Sequence, residues 1–299
     1  DPATAGHSGR VAEASLALAK AVNREGLSMG PFSPRQMREI NFAALLHDFG
    51  KVGVREQVLT KANRLMPQAL DRLLDRLETA RLSAWREVAE EVIRTGQLEG
   101  TEALAAIEKQ WKQQIEEIDE VEAFVRKVNA PGAVDDETRR LLASIGRRMW
   151  RDAAGRDHPW IEGEHLDDLS IARGTLNRHE WENIRSHAAL TARFLAEIPW
   201  STDLADLPRI AADHHEKLDG SGYPAGIRSD AILPQTRILT ICDIFDALTA
   251  RDRPYRAAIP YDQALEILVA ERDRGAVDAE LLDLFVDSGI GKARTQAEV

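Results

Sequence analysis

The sequence is poor in cysteine and lacks long apolar runs. Cys242 is the single cysteine among 299 residues, so a disulfide framework is excluded and a reducing cytoplasm suits the chain. No apolar run reaches the roughly 18 residues that a membrane-spanning helix needs, and no signal-peptide pattern opens the chain. We therefore expect a cytoplasmic protein.

Positive charge is also scarce. The chain has 39 Lys and Arg residues against 50 Asp and Glu residues, which gives a formal net charge of -11 at pH 7. Duplex nucleic acid is bound by basic surfaces, so we exclude it as a partner. An anionic substrate would have to be attracted by local positive charge, such as metal ions or a few arginines. The abundance of Ala, Leu, Glu and Arg favours helices.

Residues 214–224, with the sequence HHEKLDGSGYP, combine two adjacent histidines with a loop rich in glycine. Neutral imidazole is the commonest protein ligand for metals, and two neighbours on one turn can face a single point. Gly220 and Gly222 permit positive φ angles and a close approach of a ligand to the backbone, while Pro224 stiffens the end of the loop. A surface turn that happens to carry two histidines is the alternative interpretation.

A second pattern, His47-Asp48, stands at the end of a helix predicted over residues 34–46. The pair offers one nitrogen and one oxygen ligand, and a carboxylate can bridge two cations. Lys51 follows three residues later, where its ammonium group can meet a phosphate or a metal-bound water. An adjacent His-Asp pair is common by chance, but the longer pattern with Gly50 and Lys51 is much rarer.

Two further histidines lie on predicted helices. His7 falls in the first turn of a helix predicted over residues 4–22, either as a metal ligand or as a capping or surface residue. Asn177 and Glu180 form a near capping box at the start of another helix. That helix carries His187 on its apolar face, where it is either a metal ligand or a core residue with satisfied hydrogen bonds.

The C-terminal part of the chain adds a carboxylate and a group of arginines. Asp243 stands among apolar residues of a helix predicted over residues 237–249. Burying a carboxylate is costly unless it is paired or binds a cation, so Asp243 is a candidate ligand unless it faces solvent. Arg251, Arg253 and Arg256 follow, and guanidinium groups are suited to holding phosphate oxygens.

In the middle of the chain, no residues have a spacing that is typical of a catalytic motif. Apolar positions three and four residues apart run from Leu70 to Val92 and from Leu104 to Val128. These two stripes predict an antiparallel helical hairpin connected through residues 95–101. The hairpin is longer than it needs to be to cover itself, so we expect a partner surface and a homodimer formed through this insertion.

A shorter helix is predicted over residues 136–150, followed by an irregular acidic stretch that ends near Gly174. We expect the two histidines of that stretch, His158 and His165, to be solvated.

Taken together, these motifs resemble the HD-GYP family, a branch of the HD phosphohydrolases whose members hydrolyse the bacterial second messenger cyclic di-GMP. The resemblance covers about residues 1–61 and 170–275. It implies an all-α, HD-type helical bundle built from residues 1–65 and 171–299, with residues 66–170 as a helical insertion. The resemblance is carried by His7, His47-Asp48-x-Gly-Lys51, His187, His214-His215, Asp219-Gly-x-Gly-Tyr223-Pro224, Asp243, Ala247-Leu-Thr and Arg253-Pro-Tyr-Arg256.

The resemblance implies a centre with two divalent metal ions. By analogy one metal is bound by His7, His47, Asp48 and Asp243, and the other by Asp48, His187, His214 and His215. Such a mixed nitrogen and oxygen set suits iron or manganese. Some members carry a glutamate four residues before the first histidine, associated with a third metal; Ala3 stands there in this chain, so we expect two ions.

The expected reaction is hydrolysis of cyclic di-GMP to linear pGpG, to GMP, or to both, by a hydroxide that bridges the metals. Asp48 and Lys51 are the expected catalytic residues, with Lys51 orienting the scissile phosphate. The other expected substrate-binding residues are Arg253 and Arg256, on the second phosphate, together with Asp219 and Tyr223 of the loop.

Two alternatives stay open from the sequence. One keeps the enzyme and changes its substrate to another cyclic dinucleotide or a phosphomonoester. The other is a non-catalytic module that senses a nucleotide or docks a diguanylate cyclase domain through the Gly-Tyr-Pro loop. Because the chain begins abruptly at Asp1-Pro2, we expect it to be the C-terminal part of a longer sensor protein, tethered to a membrane by its N-terminal region.

Overall fold

The structure is a computed structural model that describes residues 2–95, 101–251 and 258–292. It confirms the predicted all-α class; the described residues add only one small two-stranded sheet. No helix in these parts of the chain has an apolar stretch of the length required to cross a bilayer. In chain order the elements are α1 (Pro2–Glu25), α2 (Pro34–Leu46), α3 (Glu56–Leu59), α4 (Pro67–Thr95), α5 (Thr101–Asn129), α6 (Asp136–Ile145), β1 (Met149–Arg151), β2 (Asp157–Pro159), α7 (Gly163–Leu169), α8 (Arg178–Ala196), α9 (Leu207–Ala212), α10 (Pro234–Thr249), α11 (Tyr261–Asp273) and α12 (Ala279–Asp287).

The chain forms two compact units, residues 1–59 with 181–299 and residues 60–180. The boundaries expected from the sequence, at 65/66 and 170/171, stay a prediction of domain organisation.

The first unit is organised around α10. This helix is buried on most of its sides, including both of its carboxylates, Asp243 and Asp246. It packs against α1, α2, α9, α11 and α12, and α1 packs in turn against α2. Apolar side chains such as Leu18, Ile40 and Phe285 fill the spaces between these helices. An apolar core therefore surrounds the two carboxylates of α10.

The second unit contains the predicted hairpin. Leu73 and Leu77 of α4 lie in one apolar cluster with Val121 and Val125 of α5, near the far end of that helix. The other end of α4 meets the start of α5, so the two helices are antiparallel, as predicted. Arg81 also joins them, through ion pairs of 2.7 Å with both Asp119 and Glu122. The connection at residues 96–100 lies outside the described residues.

The prediction for residues 136–174 is wrong in two respects. Helix α6 ends at Ile145, because Gly146 follows and Leu166 of α7 packs so closely against it that a Cβ atom would collide. The chain then forms the β1–β2 hairpin, in which the Trp150 ring stacks on His158 at 4.6 Å. His165 is also not solvated: it lies on α7 with 4% of its surface exposed, and neither ring nitrogen has a hydrogen-bond partner among the described residues.

Candidate metal centre

The His-Asp pair follows the last residue of α2. Ser33 and Gln36 form a capping box that starts this helix, with Pro34 in its first position. His47 is fully buried, and its Nδ1 atom lies 2.7 Å from the carbonyl oxygen of Ala44. A hydrogen bond from Nδ1 to that carbonyl fixes the ring, so its Nε2 atom is left to face the site.

A threonine of α8 holds the loop after the His-Asp pair in place. The Thr191 hydroxyl accepts a hydrogen bond from the Gly50 amide and donates one to the His47 carbonyl, both at 2.9 Å. The approach is so close that a Cβ atom on Gly50 would collide with the carbonyl oxygen of His187. Position 50 therefore requires glycine, and the contact sets Asp48 beside His187.

The two adjacent histidines come directly after α9. The Nδ1 atom of His214 lies 2.7 Å from the carbonyl oxygen of Ala211. The buried carboxylate of Glu216 accepts hydrogen bonds from the amides of Ala225, Gly226 and Ile227, at 2.6, 3.0 and 3.1 Å. These bonds tie the start of the loop of residues 214–224 to the residues that follow its end. A Cβ atom on Gly222 would collide with the backbone of Glu216 and Lys217, so this turn also requires glycine.

Helices α1 and α10 supply the remaining members. The Nε2 atom of His7 lies 3.1 Å from Oδ1 of Asp243. Its Nδ1 atom lies 2.7 Å from Oδ2 of Asp246, which also accepts a hydrogen bond from Arg10. His7 therefore has a carboxylate on each side, one toward the site and one behind the ring.

Asp48 lies between the two groups of histidines. Its Oδ2 atom is 3.6 Å from Nε2 of His7 and 3.5 Å from Nε2 of His47, and its Oδ1 atom is 3.5 Å from Nε2 of His187. Each of its oxygens therefore faces a different group. This is the position that a bridging carboxylate would occupy.

The ring nitrogens approach one another at distances that suit metal binding. Nε2 of His47 lies 3.3 Å from Nε2 of His7, and Nε2 of His187 lies 3.4 Å from Nε2 of His214. Ligands with bonds of about 2.1 Å to one octahedral ion are about 3.0 Å apart, so these atoms need to move by only a few tenths of an ångström. Within this cluster, three groups have ligand atoms within 4.8 Å of one another: His187, His214 and His215; His7, His47 and Asp48; and His47, His214 and Asp243.

Comparisons with known proteins agree with this geometry. A family model described as HD domain matches residues 164–281. A 3'3'-cGAMP-specific phosphodiesterase of Vibrio cholerae is 49% identical over 143 residues, which cover 48% of this chain and 30% of the relative. A cyclic di-GMP phosphodiesterase of the same organism is 35% identical over 107 residues, covering 34% of this chain and 22% of the relative. Residues 164–281 are therefore similar to the HD domain, and the relatives matched are cyclic dinucleotide phosphodiesterases.

A third relative, a cyclic di-GMP phosphodiesterase response regulator of Xanthomonas campestris, is 49% identical over 65 residues, covering 22% of this chain and 17% of the relative. The chain therefore spans less than a third of the length of these relatives.

The structure brings the seven side chains that the resemblance implies as ligands into one cluster. Of the other expected site residues, some lie at the cluster and some do not. Lys51 lies at the cluster, with its ammonium group 2.6 Å from Oδ2 of Asp48, and the Tyr223 ring lies 4.6 Å from the His215 ring. Asp219 is exposed, and its carboxylate accepts hydrogen bonds from Ser221 within the loop. Arg253 and Arg256 lie outside the described residues, as does the side chain of Ala3.

Burial keeps one set of histidines neutral. It lowers the pKa of His187, lowers that of His214 strongly, and lowers that of His215 to about 4. Neutral imidazole is the form that binds a metal, so these three rings are in their ligating form at neutral pH.

Nearby carboxylates raise the pKa values of two other histidines. Burial acts to lower the pKa of His7, but hydrogen bonds to Asp243 and Asp246 and nearby negative charge raise it to about 9. The pKa of His47 is also raised despite burial, because Asp48 and Asp243 are close. The pKa values of these two aspartates are lowered, against burial, by the surrounding histidines. A cation entering here would replace protons.

Sequence patterns missed several residues that support the cluster. Asp246 stands three residues after Asp243 on α10, and this spacing is the signal that could have shown that both carboxylates face the same side. Thr191 and Glu216 act through long-range contacts that no local pattern reveals. Arg185, which lies over the Tyr223 ring, was not singled out either.

Proposed function

We propose that this chain hydrolyses a phosphodiester bond of a cyclic dinucleotide at a centre of two divalent metal ions. The observation that supports this most directly is the convergence of five histidines and two aspartates, with Asp48 facing both groups of histidines. The family match and the phosphodiesterase names of the relatives support the same reaction class.

The side chains present fit divalent metals. Nδ1 of His47, His187 and His214 faces a backbone carbonyl, and Nδ1 of His7 faces a carboxylate, so the four Nε2 atoms are directed inward. Hydrogen bonds of this kind behind the ring are typical of metal-binding histidines. The donor set contains imidazole and carboxylate but no thiolate, which favours iron or manganese.

We assign the ligands as the family resemblance implies. His7, His47, Asp48 and Asp243 would hold one ion. The second would be held by Asp48 together with His187, His214 and His215. When bound, two such ions activate water for attack on phosphorus and stabilise the departing oxygen.

The chain's own residues would bind and orient the substrate. Lys51 is 26% exposed, so its ammonium group can turn from Asp48 toward a phosphate oxygen. We assign it to the scissile phosphate, and Arg253 and Arg256 to the second phosphate. Asp219 and Tyr223 belong to the loop that would border the substrate, with Tyr223 packed on His215.

Cyclic di-GMP is the first candidate substrate, with pGpG, GMP or both as products. A second candidate is favoured by one comparison: the relative that is 49% identical over 143 residues is a 3'3'-cGAMP-specific phosphodiesterase. The two candidates share a ring with two phosphodiester bonds and differ in one base.

Turnover of a substrate panel by the metal-loaded chain tests this proposal. The panel contains cyclic di-GMP, 3'3'-cGAMP, linear pGpG and a phosphomonoester, with products separated by chromatography. We expect hydrolysis of at least one cyclic dinucleotide and much slower hydrolysis of the phosphomonoester. A chain that binds the metals and cyclic dinucleotides without turning any over would instead be a sensing or docking module, and the proposal would be wrong.

A further inference from the structure

Arg185 lies at the edge of the candidate metal centre on α8, two residues before His187. The carbon of its guanidinium group is 4.5 Å from the centroid of the Tyr223 ring. That ring also lies against two histidines: the imidazole of His215 is 4.6 Å away with 34° between the ring planes, and that of His187 is 6.4 Å away, edge to face. Guanidinium, phenol and imidazole therefore form a continuous row that ends at a candidate metal ligand.

Arg185 differs from the other basic side chains around the cluster. Arg10 is paired with Asp246 at 2.9 Å, Lys51 with Asp48 at 2.6 Å, and Lys217 with Glu271. In the described parts of the chain, Arg185 has no hydrogen bond and no carboxylate partner, although the net charge is -11 and acidic side chains are plentiful. Its guanidinium group offers five donors, and it is half-buried. A cation in this position is suited to an anion that comes from solution.

We propose that Arg185, held against Tyr223, binds a phosphate group of the cyclic dinucleotide other than the one that is hydrolysed. This inference rests on the proposed function. A guanidinium group matches phosphate oxygens in pairs, and an aromatic face restricts its motion before the ligand arrives.

The choice of phosphate follows from the positions of the two cations. Lys51 contacts Asp48 directly, whereas the Tyr223 ring lies between the Arg185 guanidinium group and His215, a candidate ligand. A cyclic dinucleotide carries two phosphates, so one can lie at the metals while the other reaches Arg185. A substrate with a single phosphodiester group cannot use both positions.

The test compares two substrates in the metal-loaded full chain. For Arg185→Ala we expect the KM for the cyclic dinucleotide to rise about tenfold to a hundredfold, the effect of losing a charge-assisted hydrogen bond to phosphate. The kcat/KM for bis(p-nitrophenyl) phosphate, which has one phosphodiester group, should change by less than about twofold on the same reasoning. Arg185→Lys should fall between, because it keeps the charge and loses the paired geometry.

Arg193→Ala is the matched control, since Arg193 is an exposed arginine two turns further along α8. It should leave both substrates unaffected. The inference is overturned if Arg185→Ala leaves the KM for the dinucleotide unchanged, slows both substrates equally, or lowers the metal content. If the wild-type chain hydrolyses bis(p-nitrophenyl) phosphate but no cyclic dinucleotide, the proposed function itself is wrong and the inference fails with it.

Discussion

Replacing Asp246 with asparagine would test how the protein prepares His7 to bind a metal. The Asp246 carboxylate is almost completely buried, accepts a hydrogen bond from Nδ1 of His7 at 2.7 Å and pairs with Arg10 at 2.9 Å. Asparagine has nearly the same shape but carries no charge. The substitution therefore removes the charge behind the ring while the surrounding packing stays.

Two effects of this substitution oppose each other. Loss of the carboxylate behind a metal-binding histidine weakens metal binding about 10- to 100-fold, which is about 1.4 to 2.8 kcal/mol. Burial acts to lower the pKa of His7, but hydrogen bonds to Asp243 and Asp246 help to raise it to about 9, so protons compete with the metal at pH 7. At pH 7 this competition from protons reduces the free energy of metal binding by roughly 3 kcal/mol, and Asp246→Asn removes part of that reduction.

The net loss of metal affinity in Asp246→Asn should therefore depend on pH. Below the pKa of His7 the wild-type chain also loses affinity to protons, so the difference between the two proteins is small. As the pH rises toward that pKa, the wild-type chain recovers more than the variant, and the difference should approach the full 10- to 100-fold.

Competition with a chelator gives the Mn²⁺ affinity of each protein across this range. Glu39→Gln is the matched control, because Glu39 is a fully buried carboxylate of the same unit that hydrogen-bonds Arg35 and Gln235. It should lower stability without changing metal affinity. Equal Mn²⁺ affinities for Asp246→Asn and wild type at mildly alkaline pH would refute the role assigned to Asp246, and so would an equal loss in Glu39→Gln.

Three further predictions concern other parts of the molecule. Thr191→Val should lower the free energy of unfolding, measured in urea, by about 2 to 4 kcal/mol, because two buried backbone groups lose their hydrogen-bond partner. Thr191→Ser keeps the hydroxyl and should lower it by only about 1 kcal/mol. Equal losses in the two variants would contradict this prediction. Metal binding at neutral pH should release a proton from His7, whose pKa is raised to about 9, and the metal affinity should rise up to about that pH. Calorimetry in buffers of different ionisation enthalpy measures the release, and binding without proton release would refute this prediction. Helices α4 and α5 leave large apolar side chains exposed, so we expect the full chain to be a homodimer. Replacing residues 66–170 with a short Gly/Ser linker should give a monomer that still binds metal. A monomeric full chain, or a dimeric shortened chain, would refute this prediction.

The sequence predicted those features that depend on local pattern. The helix over residues 34–46 was located correctly because Pro34 and the residues around it begin it in a standard way. Asn177 and Glu180 form the predicted reciprocal cap, with bonds of 2.9 and 3.0 Å. The long hairpin followed from a repeat that extends over many turns. In each case the determining interactions lie within a few residues of one another.

The features that were missed depend on contacts between distant residues. The β1–β2 hairpin, in which Trp150 stacks on His158 eight positions further along the chain, takes the place of the predicted end of α6. His165 is buried by the packing of α7, which its acidic neighbours do not indicate. Thr191 contacts residues more than 140 positions away. The resemblance to the HD-GYP family supplied the expected set of ligands, but the side chains that hold those residues in place emerged only from the structure.

Titration of the metal-stripped full chain with Mn²⁺ or Fe²⁺ would test most directly whether the cluster is a two-metal phosphodiesterase centre. Hydrolysis of cyclic di-GMP and 3'3'-cGAMP is followed by chromatography, and bound metal by elemental analysis, at each step. We expect no turnover without metal, a rise that ends at two ions per chain, and loss of both metal and activity in His47→Ala and Asp48→Ala. Full turnover by the metal-stripped chain, or a plateau at three bound ions, would contradict the two-metal centre.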